Sequence, residues 1–326
     1  MRKIIKVLLI ILAAAVAGLA LILLYVKKGL PSVGAAPDIK VELTKDRVAR
    51  GQYLANHVAA CMDCHSQRDW SVYGAPIKEG TFGGGGERFG KEMGFPGTLY
   101  SRNLTPYGLS GWTDGEIFRA ITTGQNKRNQ ALFPLMPYLH YGTLDQEDIY
   151  SIIAYLRTLP SIANQVPDRS LDFPVNFIVN TVPRKAALAQ KPARTDSVQY
   201  GKYLVTMADC VACHSRVDAH GEIIAGSEFG GGRSFNFPNG IVVTTPNITT
   251  DVATGIGSWT SELFVQKFKR FSDSSYHEQK LGPKDFNTPM PWFMFTGMDT
   301  ADLKAIFSYL QTVKKINNEV TRFAKR

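Results

Sequence analysis

Four cysteines are the whole thiol inventory of this chain. They form two identically spaced pairs, each followed at once by a histidine: Cys61-Met62-Asp63-Cys64-His65 and Cys210-Val211-Ala212-Cys213-His214. Residues three apart on a helix share a face. The two thiols of a pair can therefore bond two sites on one flat group while the next residue turns its imidazole toward that group's centre. This is the attachment pattern of haem c, with two thioethers and a proximal histidine on iron. The same four thiols could make one tetrahedral zinc site, but zinc does not call for a histidine after each pair. A thioredoxin-like redox pair needs a strand–helix setting, which the sequence does not offer. No cysteine is left over for a disulfide framework.

Iron held by one histidine has a second axial position. Met136, 71 residues after His65, and Met290, 76 residues after His214, stand in matched Met-Pro pairs: Met136-Pro137 and Met290-Pro291. Proline fixes φ and stiffens the loop, so a thioether there would hold its place through a redox change. Histidine–methionine ligation raises the reduction potential. The competing role for a methionine is filling core gaps. The other histidines, His57, His140, His220 and His277, have no partner at a matching place in the other half of the chain, and each reads as an ordinary side chain. No Ser-His-Asp set, paired carboxylates or separate metal cluster stands out, so catalytic residues are not expected. Electron transfer without catalysis by the chain alone is the expectation; a dihaem peroxidase, with one displaceable ligand, is the enzymatic rival.

The elements that position these residues repeat. Gly51-Gln52-Tyr53-Leu54 leads to the first motif and Gly201-Lys202-Tyr203-Leu204 to the second. Gly83–Gly86 corresponds to Gly230–Gly232, Asn103-Leu104-Thr105 to Asn247-Ile248-Thr249, and Trp112-Thr113 to Trp259-Thr260. Ile149, Ile152, Ile153 and Leu156 precede Leu303, Ile306, Phe307 and Leu310 by 154 residues, at the i, i+3, i+4, i+7 spacing of a helix with one apolar face. Asp145 and Asp299 are placed as N-caps of these closing helices. Each half is about 115 residues, with a helix at each end and a Gly- and Pro-rich middle. Gly51 and Gly201 would let the first helix approach the last near Tyr155 and Tyr309. The glycine runs read as turns against which haem can lie, and the Asn-x-Thr sequences as structural rather than glycosylated. Strands are expected to be few.

Val7 to Val26 is 20 residues without a charge, enough to cross a bilayer as a helix. Arg2, Lys3 and Lys6 precede it, which keeps that end in the cytoplasm. Apolar residues continue from Leu19 to Val26 beyond Ala13-Ala14-Ala15, which favours an uncleaved anchor over a removed signal. The net charge of +9 is concentrated at the two ends, leaving residues 31–310 neutral. No basic stripe interleaved with aromatics appears there, so nucleic acid is not an expected partner. The organisation expected is an anchor at 1–30, a linker at 31–44, a first domain at 45–160, a connector at 161–193, a second domain at 194–316 and a basic tail at 317–326.

Both halves resemble class I cytochrome c domains. The run from Asn247-Ile248-Thr249 through Gly255-Ile256-Gly257-Ser258-Trp259-Thr260 to Met290-Pro291 and Asp302-Leu303-Lys304-Ala305-Ile306 carries the closer likeness. With Phe173-Pro174-Val175-Asn176, it is similar to the multihaem cytochrome subunits of bacterial membrane-bound alcohol and gluconate dehydrogenases. The resemblance spans roughly residues 45–312. It implies an all-α fold of class I cytochrome c domains, of which this chain's two motifs call for two in tandem behind the N-terminal transmembrane helix read from its apolar run. The two attachment motifs call for two covalently bound haem c groups, where that family usually has three. Cys61, Cys64, Cys210 and Cys213 would be the tethers, and His65 with Met136 and His214 with Met290 the iron ligands. The N-terminal anchor places the chain on the cytoplasmic membrane as a single-pass protein, its haem domains expected to face the periplasm, and the resemblance implies redox partners among dehydrogenases, oxidases or soluble cytochromes, with a fixed place in a complex as an alternative to free exchange.

Overall fold

A computed structural model describes residues 2–325. Helix α1, Arg2–Lys28, has a mean hydropathy of 3.2 over its most apolar window and none of that window buried; it is long and apolar enough to cross a membrane. Residues 31–44 lack regular structure but are fastened to the first half. The Pro31 carbonyl accepts from Gln125 Nε2 at 2.9 Å, and the Val41 N–H donates to Asp114 at 2.8 Å.

The first half then runs α2 (Lys45–Tyr53), α3 (Cys61–Cys64), β1 (Arg88–Phe89), β2 (Gly97–Tyr100), α4 (Pro106–Leu109), α5 (Asp114–Thr123), α6 (Tyr138–Tyr141), α7 (Gln146–Thr158), β3 (Ser170–Leu171) and α8 (Val175–Ile178). The second runs α9 (Ser197–Met207), α10 (Cys210–Cys213), β4 (Ser234–Asn236), β5 (Ile241–Thr244), α11 (Ser261–Lys269), α12 (Trp292–Phe295), α13 (Thr300–Leu310) and β6 (Phe323–Lys325).

In each half the first helix lies across the last, α2 on α7 and α9 on α13. The crossing is close because glycine sits at it. A Cβ on Gly51 would overlap the Ser151 carbonyl and crowd Tyr155, and one on Gly201 would overlap the Ala305 carbonyl and crowd Tyr309. The inward residues Ile149, Ile152, Ile153 and Leu156 of α7, and Leu303, Ile306 and Leu310 of α13, are all buried. Each such side chain contributes about 1.5–3 kcal/mol. The repeated Trp-Thr pairs start helices: the Thr113 hydroxyl accepts from the Glu116 N–H in a reciprocal capping box, and the Thr260 hydroxyl accepts from the Leu263 N–H.

The all-α expectation needs one correction. Each half carries a small antiparallel sheet of three strands, ordered β1-β2-β3 and β4-β5-β6. These strands are two to four residues long, too short for alternation to register. Their pairing carries each repeating unit past residues 160 and 316. The segments expected as connector and basic tail thus begin as parts of the halves: β3 pairs with β2 through Gly97↔Leu171, and β6 with β5 through Val243↔Phe323.

The halves are joined reciprocally. Tyr53 on α2 donates to Asp302 of α13 at 2.7 Å and accepts from the Asp299 N–H at 3.1 Å. Its counterpart Tyr203 on α9 donates to Asp148 of α7 at 2.8 Å and accepts from the Asp145 N–H at 3.3 Å. Burial beside these carboxylates raises both phenols well above their ordinary value, so they stay protonated donors. Likewise α6 of the first half packs on α9, and α12 of the second on the turn after α2. The pattern is that of a two-fold interface, in which each partner gives what it receives. Asp145 caps α7 through its side chain; Asp299 sits at the equivalent N-cap of α13 but makes no side-chain cap.

Candidate haem sites

Each Cys-x-x-Cys is a single helical turn, α3 or α10, entered through a residue in the left-handed region: Ala60 at φ 48° and Asp209 at φ 53°. The approach differs by one residue, since Gly51 precedes Cys61 by ten positions and Gly201 precedes Cys210 by nine. The first half absorbs the extra residue as a π-helical turn over Leu54–Val58. Local windings of this kind recur near functional sites.

All four thiols are free. Cys64 and Cys213 open to solvent on one side while protein surrounds them on the others. Burial pushes Cys61, Cys64 and Cys210 up to about 12 and Cys213 to about 11. These are not the acidified thiols of a redox pair, which lie well below 8.5. Among the described residues no group of three or more His, Cys, Asp or Glu side chains could hold a metal ion, so the single zinc site from both pairs has no geometry here.

The two histidines are held alike. His65 Nδ1 lies 2.7 Å from the Arg102 carbonyl, and His214 Nδ1 lies 2.9 Å from the Pro246 carbonyl. A carbonyl can only accept, so Nδ1 carries the proton and Nε2 keeps its lone pair. Burial lowers both imidazoles from their ordinary value, favouring the neutral form that binds a metal. A bond from the far nitrogen is the usual support of a ligating histidine.

The loop that provides each carbonyl is locked by the residue after it. Asn103 Oδ1 accepts from the N–H and hydroxyl of Thr105 at 2.9 and 2.7 Å, and its Nδ2 donates to the Ile162 carbonyl at 2.8 Å. Asn247 Oδ1 accepts from the N–H and hydroxyl of Thr249 at 2.9 and 2.8 Å, and its Nδ2 donates to Ile316. Both asparagines are buried, so the sequons are structural, as expected. The glycine runs press on this same loop. A Cβ on Gly85 would meet the Arg102–Asn103 peptide at 2.6 Å, and one on Gly231 the Pro246–Asn247 peptide at 2.5 Å. The glycines therefore serve backbone packing behind the histidine, rather than an open face for haem.

Met136 and Met290 are half-buried against the core. Each starts an inverse γ-turn centred on its proline. Pro137 has φ −81° and ψ 48° and Pro291 φ −79° and ψ 62°, and the N–H two residues on returns to the methionine carbonyl at 2.8 Å in both. The turn leads directly into α6 or α12. Two of the other histidines are also tied at Nδ1: His57 lies 2.9 Å from the Met294 carbonyl, and His140 lies 2.8 Å from Asp209 across the interface. Sequence reading did not anticipate that His140–Asp209 pair, which ties α6, just past Met136, to the residue before Cys210.

Each half offers a thiol pair on one turn and an imidazole with its Nε2 lone pair beside it, the donors that haem c would need, and a methionine in a proline-fixed turn of the same half. Among the described residues no carboxylate cluster competes for a hydrated ion.

Residues 198–314 match the cytochrome c family. The chain is 28% identical over 283 residues to the fructose dehydrogenase cytochrome subunit of Gluconobacter japonicus, covering 82% of this chain and 52% of that one. It is 27% identical over 283 residues to the gluconate 2-dehydrogenase cytochrome c subunit of Pantoea cypripedii, of which it covers 59%. It is 28% identical over 212 residues to a diheme cytochrome c-type protein of Cereibacter sphaeroides, of which it covers 68%. The chain thus spans about half the length of the dehydrogenase subunits it matches.

Proposed function

We propose, on the premise that residues 198–314 are a cytochrome c domain, that the chain is a dihaem c-type cytochrome that passes electrons between a dehydrogenase donor and an oxidase or other acceptor. In this reading both halves are class I cytochrome c domains, α1 anchors them to the cytoplasmic membrane, and they face the periplasm. Cys61 with Cys64 and Cys210 with Cys213 tether the groups, His65 and His214 are the proximal ligands, and Met136 and Met290 the distal ones.

Bound haem would supply reversible one-electron chemistry at iron. The chain's part is to hold ligands still. Arg102 and Pro246 carbonyls fix the tautomer and plane of the imidazoles, and the γ-turns hold the thioethers against the core. Little has to move when charge changes, which keeps the reorganisation cost of electron transfer low.

The observation that carries the reading is the matched pair of imidazoles, each Nδ1-bonded to a backbone carbonyl one position after a pair of free thiols. The test is mass spectrometry of chain made in cells competent for cytochrome c maturation. Two porphyrin additions are expected in the whole chain and one after replacement of Cys61 and Cys64 by alanine. A chain without added porphyrin mass ends the proposal.

The names of the relatives favour a second form of the same reading, a fixed subunit of a dehydrogenase complex rather than a free carrier. Purification in mild detergent separates the two, since a subunit retains its dehydrogenase at fixed stoichiometry and a carrier does not.

A further inference from the structure

Phe173 to Pro183 is a run of eleven residues without a charged side chain. On one side stands Asp172, its carboxylate 2.8 Å from the Lys91 ammonium. On the other stand Arg184 and Lys185, both exposed. A run of this length is too short to span a bilayer and suits a core or an interfacial segment. The core does not take it: Phe173 is 76% exposed and Ile178 53%. The segment is nonetheless held firmly. β3 pins its start to the first sheet, and Val179 and Pro183 are buried. Phe173 and Phe177 meet edge to face at 6.1 Å. Helix α8 and the 3-10 turn after it pack on α1, whose residues are otherwise exposed along its length save Gly18 and Val26. The exposed apolar side chains are thus continuous with the apolar surface of α1.

We infer that residues 173–183 form a second membrane contact, seated in the interface of the bilayer that α1 crosses, with Phe173 and Ile178 among the acyl-chain ends and Arg184 and Lys185 at lipid phosphates. Short apolar segments flanked by cations take this position, and juxtamembrane cations are drawn to anionic headgroups. The inference rests on α1 being an anchor. Its consequence is orientational: one helix lets the body swivel about its axis, whereas a helix and a foot beside it fix which face of the two halves looks along the membrane.

The test uses the full holoprotein in nanodiscs of phosphatidylcholine and phosphatidylglycerol. A nitroxide is placed singly through Phe173→Cys or Ile178→Cys, with Leu12→Cys on α1 and Val252→Cys on the body as references. All are exposed positions, and the Soret band checks that each variant is loaded. Collisions with oxygen, which partitions into lipid, are compared with those of an aqueous nickel chelate. The labels at 173 and 178 are expected to relax several-fold more with oxygen than with nickel, between the two references. Labels at 173 and 178 that match position 252 while position 12 reports lipid overturn the foot and leave the anchor. Aqueous behaviour at position 12 as well overturns both. Shielding of 173 and 178 from both reagents means that protein covers the face, and also overturns the inference.

Discussion

At the scale of the residue, the site depends on a few atoms whose roles differ sharply. A thioether on iron raises the potential relative to harder ligands, so Met136→Ala should lower the potential of one haem by on the order of 100 mV, within the roughly 0.8 V that axial ligation commands. The same should hold for Met290→Ala, with the other haem unmoved. A redox titration reads both, and two unchanged midpoints would remove methionine from the assignment. The peroxidase rival predicts peroxide turnover by the unaltered protein, whereas two closed iron sites predict turnover only after a methionine is removed. The thiol-and-imidazole spacing was legible in the sequence, because residues three apart share one helical turn and duplication repeats the arrangement. What supports the set was only half legible. Asn103 and Asn247 stood out as repeated, but nothing in their spacing said that they clamp the loop whose carbonyl holds the imidazole. The partner of His140 lies 69 positions away on another helix, beyond any local pattern.

At the scale of the element, the crossing of first and last helices is the most intolerant feature. Gly51→Ala or Gly201→Ala places a methyl group inside a carbonyl and should cost about 3 kcal/mol or more, seen as a lowered denaturation midpoint. At the start of α7, Asp148 is almost fully buried and receives Arg50 at 2.9 Å, Lys191 at 2.9 Å and Tyr203. Burial alone would raise its carboxyl, but the bonds from Arg50 and Lys191 hold it below its ordinary value. A depressed carboxyl contributes stability that is complete above the unfolded pKa, near 3.9, and fades as pH falls through the folded value. Asp148→Asn should therefore cost about 3 kcal/mol at neutral pH and progressively less in acid, a trend that chemical denaturation at stepped pH would reveal or refute. The helices themselves could be read from their periodicity and caps. The sheets could not: with strands this short, the information lies in which loop the partner strand comes from, and β3 and β6 come from beyond the apparent ends of their domains. The extra residue before Cys61 was countable, but its accommodation as a π-turn depends on how that turn packs against α12.

At the scale of the whole molecule, the tyrosine bridges make the halves one cooperative body. A bond from a phenol to a buried carboxylate contributes about 1.5–3 kcal/mol, so Tyr53→Phe and Tyr203→Phe should each weaken the joint by that order. Together they should separate one calorimetric transition into two; a single transition of unchanged width would argue that the apolar contacts suffice alone. The His140–Asp209 pair adds a smaller, pH-dependent share. The bond and charge of Asp209 raise the imidazole against its partial burial. That contribution is whole below the unfolded pKa, near 6.5, and disappears as pH rises through the folded value. With both side chains partly exposed, it is below about 1 kcal/mol, and His140→Ala should flatten the alkaline slope of stability without touching the acid one.

Reciprocity of this kind closes on itself. The operation that carries Tyr53 onto Tyr203 carries Asp302 back onto Asp148, and each half spends its one copy of the contact on the other. A third module of the same build would find no vacant docking patch of that type, so the pair cannot be lengthened into a chain of equivalent units. On the proposed function, any redox centre beyond these two would approach from an unrelated face, and the route by which charge enters or leaves would be set by geometry outside the duplication.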